Sequence, residues 1–86
     1  GTVVSREIIN KPSGTVTVFA FAEGEGLSEH TAPYDALIYL LDGEGKVKVD
    51  GQQHHLKAGE MLIMPAHHPH SLKALTPFKM LLVMIK

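Results

Sequence analysis

Short strand-like runs recur about every 8–12 residues in this sequence, separated by glycine, proline or aspartate, and the run at residues 15–21 is rich in β-branched and aromatic residues. No segment keeps a helical apolar period long enough to predict a helix. Regularly spaced runs of this kind are typical of sandwiches and barrels. The sequence therefore predicts an all-β fold with strands at residues 3–9, 15–21, 27–31, 37–41, 46–50, 52–57, 61–64, 71–75 and 78–86.

The length of 86 residues suits one domain, which we assign to residues 1–86. The first residue, Gly1, is not an initiator methionine, which indicates a trimmed amino terminus. The net charge of −1 gives no reason to expect nucleic acid as a partner, and no apolar run approaches the about 20 residues that cross a membrane. The absence of cysteine excludes disulfides and thiolate chemistry and suits a cytoplasmic protein.

Two stretches combine glycine, an apolar run, proline and histidine. Five residues separate the first glycine from the first histidine, and five separate the glycine from the proline of the second stretch. The anchors, in chain order, are Gly24, His30, Gly43, Gly59, Pro65 and His70. In this spacing the chain resembles the cupin superfamily, and in particular its small single-domain bacterial members. The resemblance covers residues 24–74.

This resemblance implies a double-stranded β-helix, a jelly-roll-like barrel of two antiparallel sheets. It also implies that His30 and His70 lie on neighbouring strands and face the barrel interior. Cupin enzymes hold a divalent metal there with three imidazoles and one carboxylate, but Ala32 and Ala36 occupy two of these four positions here. A Zn, Ni, Mn or Fe ion would depend on His30 and His70, with His67 as a candidate third ligand, and two imidazoles alone bind such an ion weakly.

Two functions remain open at this point. We favour a small-molecule-binding domain with an incomplete metal site, in which a small organic ligand contacts His30, His70, Ile38 and Met64. The alternative is a metal-dependent enzyme, such as a dioxygenase, isomerase or lyase, that acts on a small organic substrate, although no catalytic residue can be identified. Against a bound metal we weigh a simpler role, in which hydrogen bonds or water satisfy the two imidazoles inside the barrel.

The surface pattern predicts a homodimer. Side chains alternate between the two faces of a strand, so Leu37, Tyr39 and Leu41 point outward if their neighbours line the barrel. The last strand is apolar on both faces over residues 78–85. Apolar surfaces of this kind need a cover, which a two-fold related copy would provide.

Two smaller features carry expectations about the site. Asp50 and Gly51 give a strong signal for a two-residue hairpin turn, and we expect this tip to lie far from the site. The methionines either line an adaptable pocket or fill gaps in the core, and the second role is the expected one. They are Met61, Met64, Met80 and Met84.

Overall fold

The structure, a computed structural model, describes residues 3–86, and all of its regular elements within that range are strands. The strands are β1 (Val3–Lys11), β2 (Gly14–Phe21), β3 (Gly26–His30), β4 (Asp35–Asp42), β5 (Glu44–Val49), β6 (Gln52–Lys57), β7 (Met61–Met64), β8 (His70–Ala74) and β9 (Phe78–Ile85). Every predicted strand is present, so the all-β prediction is confirmed. Among the described residues there is no helix with the length and apolarity needed to cross a membrane.

The nine strands form two antiparallel sheets. The five-stranded sheet has the order β1-β2-β9-β4-β7, and the four-stranded sheet has the order β3-β8-β5-β6. Every pair of neighbours runs antiparallel. The sheets face each other with the core between them, which confirms the predicted barrel of two antiparallel sheets.

Strand β4 shows why the sequence folds in this way. Its side chains alternate, so that Ala36, Ile38 and Leu40 are buried while Leu37 and Tyr39 remain half-buried on the other face. Buried residues of the opposite sheet meet the inner set from across the barrel. A period of two therefore divides each strand into a core side and an outer side.

The two ends of the barrel are filled differently. Near one end, the rings of Phe21 and Phe78 stack with their centroids 4.7 Å apart. Towards the other end, Ala36 pairs with Met64 on one side and with Met84 on the other. Alanine has the smallest side chain after glycine, so Ala36 fills little of the space between the sheets at this end.

The hairpin between β5 and β6 has the predicted turn, but it does not lie far from the histidine pair as predicted. Asp50 and Gly51 both have positive φ, 51° and 78°, as the tight type I′ turn requires. However, Val49 pairs with His70, and the amide of Asp50 donates to the carbonyl of Pro69 at 2.9 Å. The expectation that this tip lies far from the site is wrong, because β5 runs beside β8 and ends next to His70.

Candidate functional site

Two imidazole rings meet where β3 and β8 lie side by side. His30 and His70 are paired in register, and their Nε2 atoms are 3.1 Å apart. The rings meet edge to face, with an angle of 72° between their planes and 4.4 Å between their centroids. His70 is buried, with 7% of its surface exposed, whereas His30 is exposed. The pair therefore extends from the barrel interior, at His70, to the solvent-exposed surface, at His30.

The backbone fixes the tautomer of both rings. The Nδ1 atom of His30 lies 2.7 Å from the carbonyl oxygen of Ser28, and that of His70 lies 3.0 Å from the carbonyl oxygen of His68. A carbonyl oxygen only accepts hydrogen bonds, so each Nδ1 carries the hydrogen and donates it. In a neutral ring, Nε2 is then an unprotonated acceptor.

This assignment has a consequence for the contact between the two Nε2 atoms. Two neutral rings would direct lone pairs at each other across 3.1 Å, and neither could donate. The contact becomes a hydrogen bond only when one proton lies between the two nitrogens. The pair of rings then carries one positive charge, spread over His30 and His70.

An apolar cavity of about 60 Å³ lies directly below the histidine pair. The five-stranded sheet supplies one wall and the four-stranded sheet supplies the other. The residues that line the cavity are Leu27, His30, Ala36, Met64, His70, Ser71, Leu72, Met80, Leu82 and Met84. No aspartate or glutamate occurs among these described residues, so no protein carboxylate in the wall balances a charge on the two rings.

The structure brings together three of the four residues that were predicted to bind a ligand. His30, His70 and Met64 all line the cavity. Ile38 does not line it, because it lies two residues further along β4 than Ala36 and has no exposed surface. A molecule in the cavity would meet Ala36 on this strand, and Ile38 would support the wall only from behind.

His67, the candidate third metal ligand, lies in the loop before β8. It is exposed, and its φ of 66° is in the left-handed region that favours glycine. Its amide donates to the carbonyl of Ala32 at 2.8 Å. This hydrogen bond ties the loop to the segment after β3, while the described hydrogen bonds do not connect the His67 ring to the histidine pair.

The described residues do not fit a metal held by the protein alone. Across residues 3–86 no three histidine, cysteine, aspartate or glutamate side chains come together in a group that could hold a metal ion. Metal sites in proteins use three or four protein ligands, and His30 and His70 supply two.

Sequence reasoning missed two features in and beside the site. Met80 and Met84 line the cavity together with Met64, which was predicted to contact a ligand, whereas Met61 is 58% exposed on the outside. The even spacing of Met80 and Met84 along one strand could have shown that they share a face. The second feature, beside the cavity, is the carboxylate of Asp50, which contacts Nδ1 of His68. A contact between a hairpin tip and a distant loop leaves no local signal in the sequence.

Comparison with known proteins agrees with this architecture. A family model described as Cupin domain matches residues 17–85. A cupin 2 conserved barrel domain protein from Leptotrichia buccalis is 44% identical and superimposes with a TM-score of 0.96, over 100% of this chain and 42% of that chain. A conserved protein of unknown function from Streptococcus pyogenes is 32% identical, with a TM-score of 0.94 over 99% of this chain and 75% of its own.

A relative with a named activity is a much longer protein than this chain. L-ectoine synthase from Marinomonas sp. (strain MWYL1) is 32% identical over 60 residues, which are 67% of this chain and 46% of that enzyme. The chain therefore spans less than half the length of this curated relative. The family model nevertheless covers most of the chain, and the solved relatives share its complete two-sheet barrel. On this evidence the chain belongs to the cupin family.

Proposed function

We propose that this domain binds a small organic acid, with the carboxylate on the histidine pair and the apolar tail in the cavity. The observation that carries the proposal is the 3.1 Å contact between Nε2 of His30 and Nε2 of His70, both of whose Nδ1 atoms face backbone carbonyls. With one shared proton, this pair attracts an anion. A carboxylate that reaches the Nε2 atoms replaces the second ring as the acceptor of this proton, and the resulting charge-assisted hydrogen bond is stronger than one between neutral groups.

The surroundings of the pair favour an acid over a neutral ligand. The cavity wall contains no carboxylate of its own, and His70 is buried. A charge that is partly removed from water is costly unless an opposite charge pairs with it. A bound carboxylate would supply that opposite charge, whereas an amide or an alcohol would not.

The volume of the cavity limits the apolar part of the ligand. Its about 60 Å³ is less than half of the about 150 Å³ that accommodates benzene in an engineered protein cavity. A short aliphatic tail of about three carbon atoms is the appropriate size. Butyrate combines such a tail with a carboxylate, and for so few atoms we expect a dissociation constant of about 1 mM.

The methionines allow a direct test by NMR spectroscopy of the ¹³C-labelled methyl groups. Butyrate should shift the signals of Met64, Met80 and Met84, which line the cavity, and should leave the exposed Met61 unchanged. Butyramide and 1-butanol are similar in shape but carry no charge, so each should bind at least about tenfold more weakly. Equal binding of all three compounds would contradict the assignment of an acid.

Two variants address the two halves of the proposed ligand. His30→Ala removes one ring of the pair while its exposed position spares the core, so butyrate should bind about tenfold more weakly. Ala36→Leu adds volume between Met64 and Met84 and should exclude the tail. Unchanged butyrate affinity in both variants, with a folded protein by circular dichroism, would overturn the proposal.

The alternative function, a metal-dependent enzyme, is favoured by one observation, the similarity to a relative named as a synthase. Calorimetric titration with Zn, Ni and Mn separates the two functions. If the acid-binding proposal holds, the wild type should bind none of these ions with micromolar affinity. Ala32→His with Ala36→Glu should bind them more tightly by orders of magnitude, because it completes a four-ligand set. Micromolar binding by the wild type would favour the enzyme.

A further inference from the structure

The outer face of the four-stranded sheet, defined as the side turned away from the five-stranded sheet, carries a concentration of positive charge. Val47 and Leu72 are paired and buried in the core, so the residues that alternate with them point outward. Three of these outward residues are exposed lysines, Lys46 and Lys48 on β5 and Lys73 on β8. Two neighbouring strands therefore present three ammonium groups on one side of the sheet.

The lysines are placed against each other. Lys46 and Lys73 are directly opposite in the register of β5 and β8. Side chains in this relation have Cβ atoms about 4.5–5.5 Å apart, and like charges there are destabilising. Lys48 follows on the same face, about 7 Å further along β5. The fold therefore holds three positive charges at a spacing that an anion between them would relieve.

The ion pairs of the described chain do not offset this charge. Within residues 3–86 the ion pairs join His55 to Glu44 and His68 to Asp50, and neither pair includes one of the three lysines. Glu44 lies two residues before Lys46 on the same face of β5, but its Oε2 atom is already 3.0 Å from Nε2 of His55. The lysines are thus available to an anion from outside the chain.

The three lysines border an open groove of about 400 Å³. Gln53 of β6 and Ser71 of β8 also line it, and their amide and hydroxyl groups can donate hydrogen bonds. On β3, Gly26 pairs with Lys73 and has no side chain to cover it. Among the described residues that line the groove there is no aspartate or glutamate. The groove therefore surrounds an open space with cationic and neutral donors.

We propose that this groove binds a diphosphate group, held by Lys46, Lys48 and Lys73. A phosphoryl group carries a charge of about −1.5 to −2 at pH 7 and has three strong acceptor oxygens, so two linked groups come close to balancing three ammonium charges. The lysine ammonium is a compact point charge with three donors, and proteins commonly use it to bind phosphate. A single carboxylate would balance only one of the three lysines, so the groove and the cavity favour different anions.

The first test is calorimetric titration with inorganic pyrophosphate, without divalent metal and in about 0.1 M salt, where charges more than about 10 Å apart are largely screened. The wild type should bind pyrophosphate with a dissociation constant below about 1 mM. Inorganic phosphate has one phosphoryl group and should bind at least about tenfold more weakly. No binding of pyrophosphate at this concentration, or equal binding of both anions, would overturn the proposal.

ADP carries the same diphosphate on a nucleoside and identifies the source of the group. If ADP binds at least about tenfold more tightly than pyrophosphate, the groove is a site for a nucleoside diphosphate. If pyrophosphate binds at least as tightly as ADP, the groove takes free diphosphate. Both results support recognition of the diphosphate itself.

Three variants separate the groove from a general effect of charge. Lys46→Gln and Lys73→Gln should each weaken pyrophosphate binding at least about fivefold, and each should raise the urea midpoint of unfolding because the like-charged pair is removed. Lys57→Gln is the matched control, since it makes the same change in net charge on the same sheet but lies outside the groove. It should keep its affinity within about twofold. Equal weakening in all three variants would overturn the proposal.

The methionine methyl signals distinguish the groove from the cavity. Leu27, Ser71 and Leu72 line both, whereas three methionines line the cavity alone, from the five-stranded sheet. Pyrophosphate in the groove should leave the signals of these methionines in place, and His30→Ala should keep its affinity for pyrophosphate while it loses affinity for butyrate. Loss of pyrophosphate binding in His30→Ala would place the anion on the histidine pair and overturn the assignment to the groove. The acid-binding proposal can therefore fail independently of this one.

Discussion

The two sheets enclose one core but contribute different chemistry to it. The four-stranded sheet supplies both imidazoles, His30 from β3 and His70 from β8, whereas the five-stranded sheet supplies the wall of Met64, Met80 and Met84. Their outer faces differ in the same sense, since exposed lysines lie on the four-stranded sheet and exposed aliphatic side chains lie on the five-stranded sheet. The polar part of the site and the exposed apolar side chains thus lie on different sheets, and each can be altered without the other.

The largest expected effect concerns the connection between the sheets. Gly43 links β4 to β5 with a φ of 83°, and a Cβ there would meet the carbonyl oxygen of Pro77 and lie 2.6 Å from Cβ of Phe78. Gly43→Ala should therefore lower the free energy of unfolding by about 2–5 kcal/mol, combining overpacking with a left-handed backbone. Gly51→Ala, within the four-stranded sheet, meets nothing within 4 Å and should cost about 1–2 kcal/mol. Equal losses in urea denaturation would show that the connection between the sheets is not specially crowded.

A smaller effect distinguishes the cavity wall from the core behind it, both on the five-stranded sheet. Ile38→Val should cost about 0.5–1.5 kcal/mol of stability and leave butyrate affinity unchanged, because Ile38 is fully buried and does not line the cavity. Met64→Leu, a swap of similar volume, should cost less than about 1.5 kcal/mol but weaken butyrate binding, because it reshapes the wall. If Ile38→Val weakened binding as much as Met64→Leu, the sequence-based assignment of Ile38 to the ligand site would regain support.

The contrast between the sheets was only partly predictable from the sequence. Alternation along β4 assigned Ala36 to the inside and Leu37 to the outside, because side chains on a strand follow a fixed period of two. The resemblance of the two motifs to those of cupins implied that His30 and His70 lie on neighbouring strands, and they do. In contrast, the carbonyl partners of both rings and the contact between Asp50 and His68 depend on how loops return to the sheet. Local periodicity carries no information about such contacts.

His67 tests whether the loop before β8 serves the fold or the site. Its φ of 66° is costly for a residue with a side chain, so His67→Gly should raise stability by about 0.5–1 kcal/mol after the loss of backbone entropy is counted. His68→Gly is the matched control: its φ is not positive, so the substitution brings no such gain and removes the contact with Asp50. Butyrate affinity should not change in His67→Gly. A fall in affinity would indicate that the His67 ring is a third contact to the ligand.

The smallest expected effect concerns the hairpin tip that lies beside the histidine pair in the four-stranded sheet. The Asp50 carboxylate contacts Nδ1 of His68, and both side chains are about half exposed, so solvent screens their interaction. Asp50→Asn keeps an acceptor for His68 and keeps a residue that tolerates the type I′ turn, and it should change stability by less than about 0.5 kcal/mol. Since the carbonyl of His68, rather than its ring, holds His70, butyrate affinity should fall less than about threefold, against about tenfold for His30→Ala. A tenfold loss in Asp50→Asn would instead mean that the charge of Asp50 acts on the ligand site, and that the site extends along the four-stranded sheet to the hairpin.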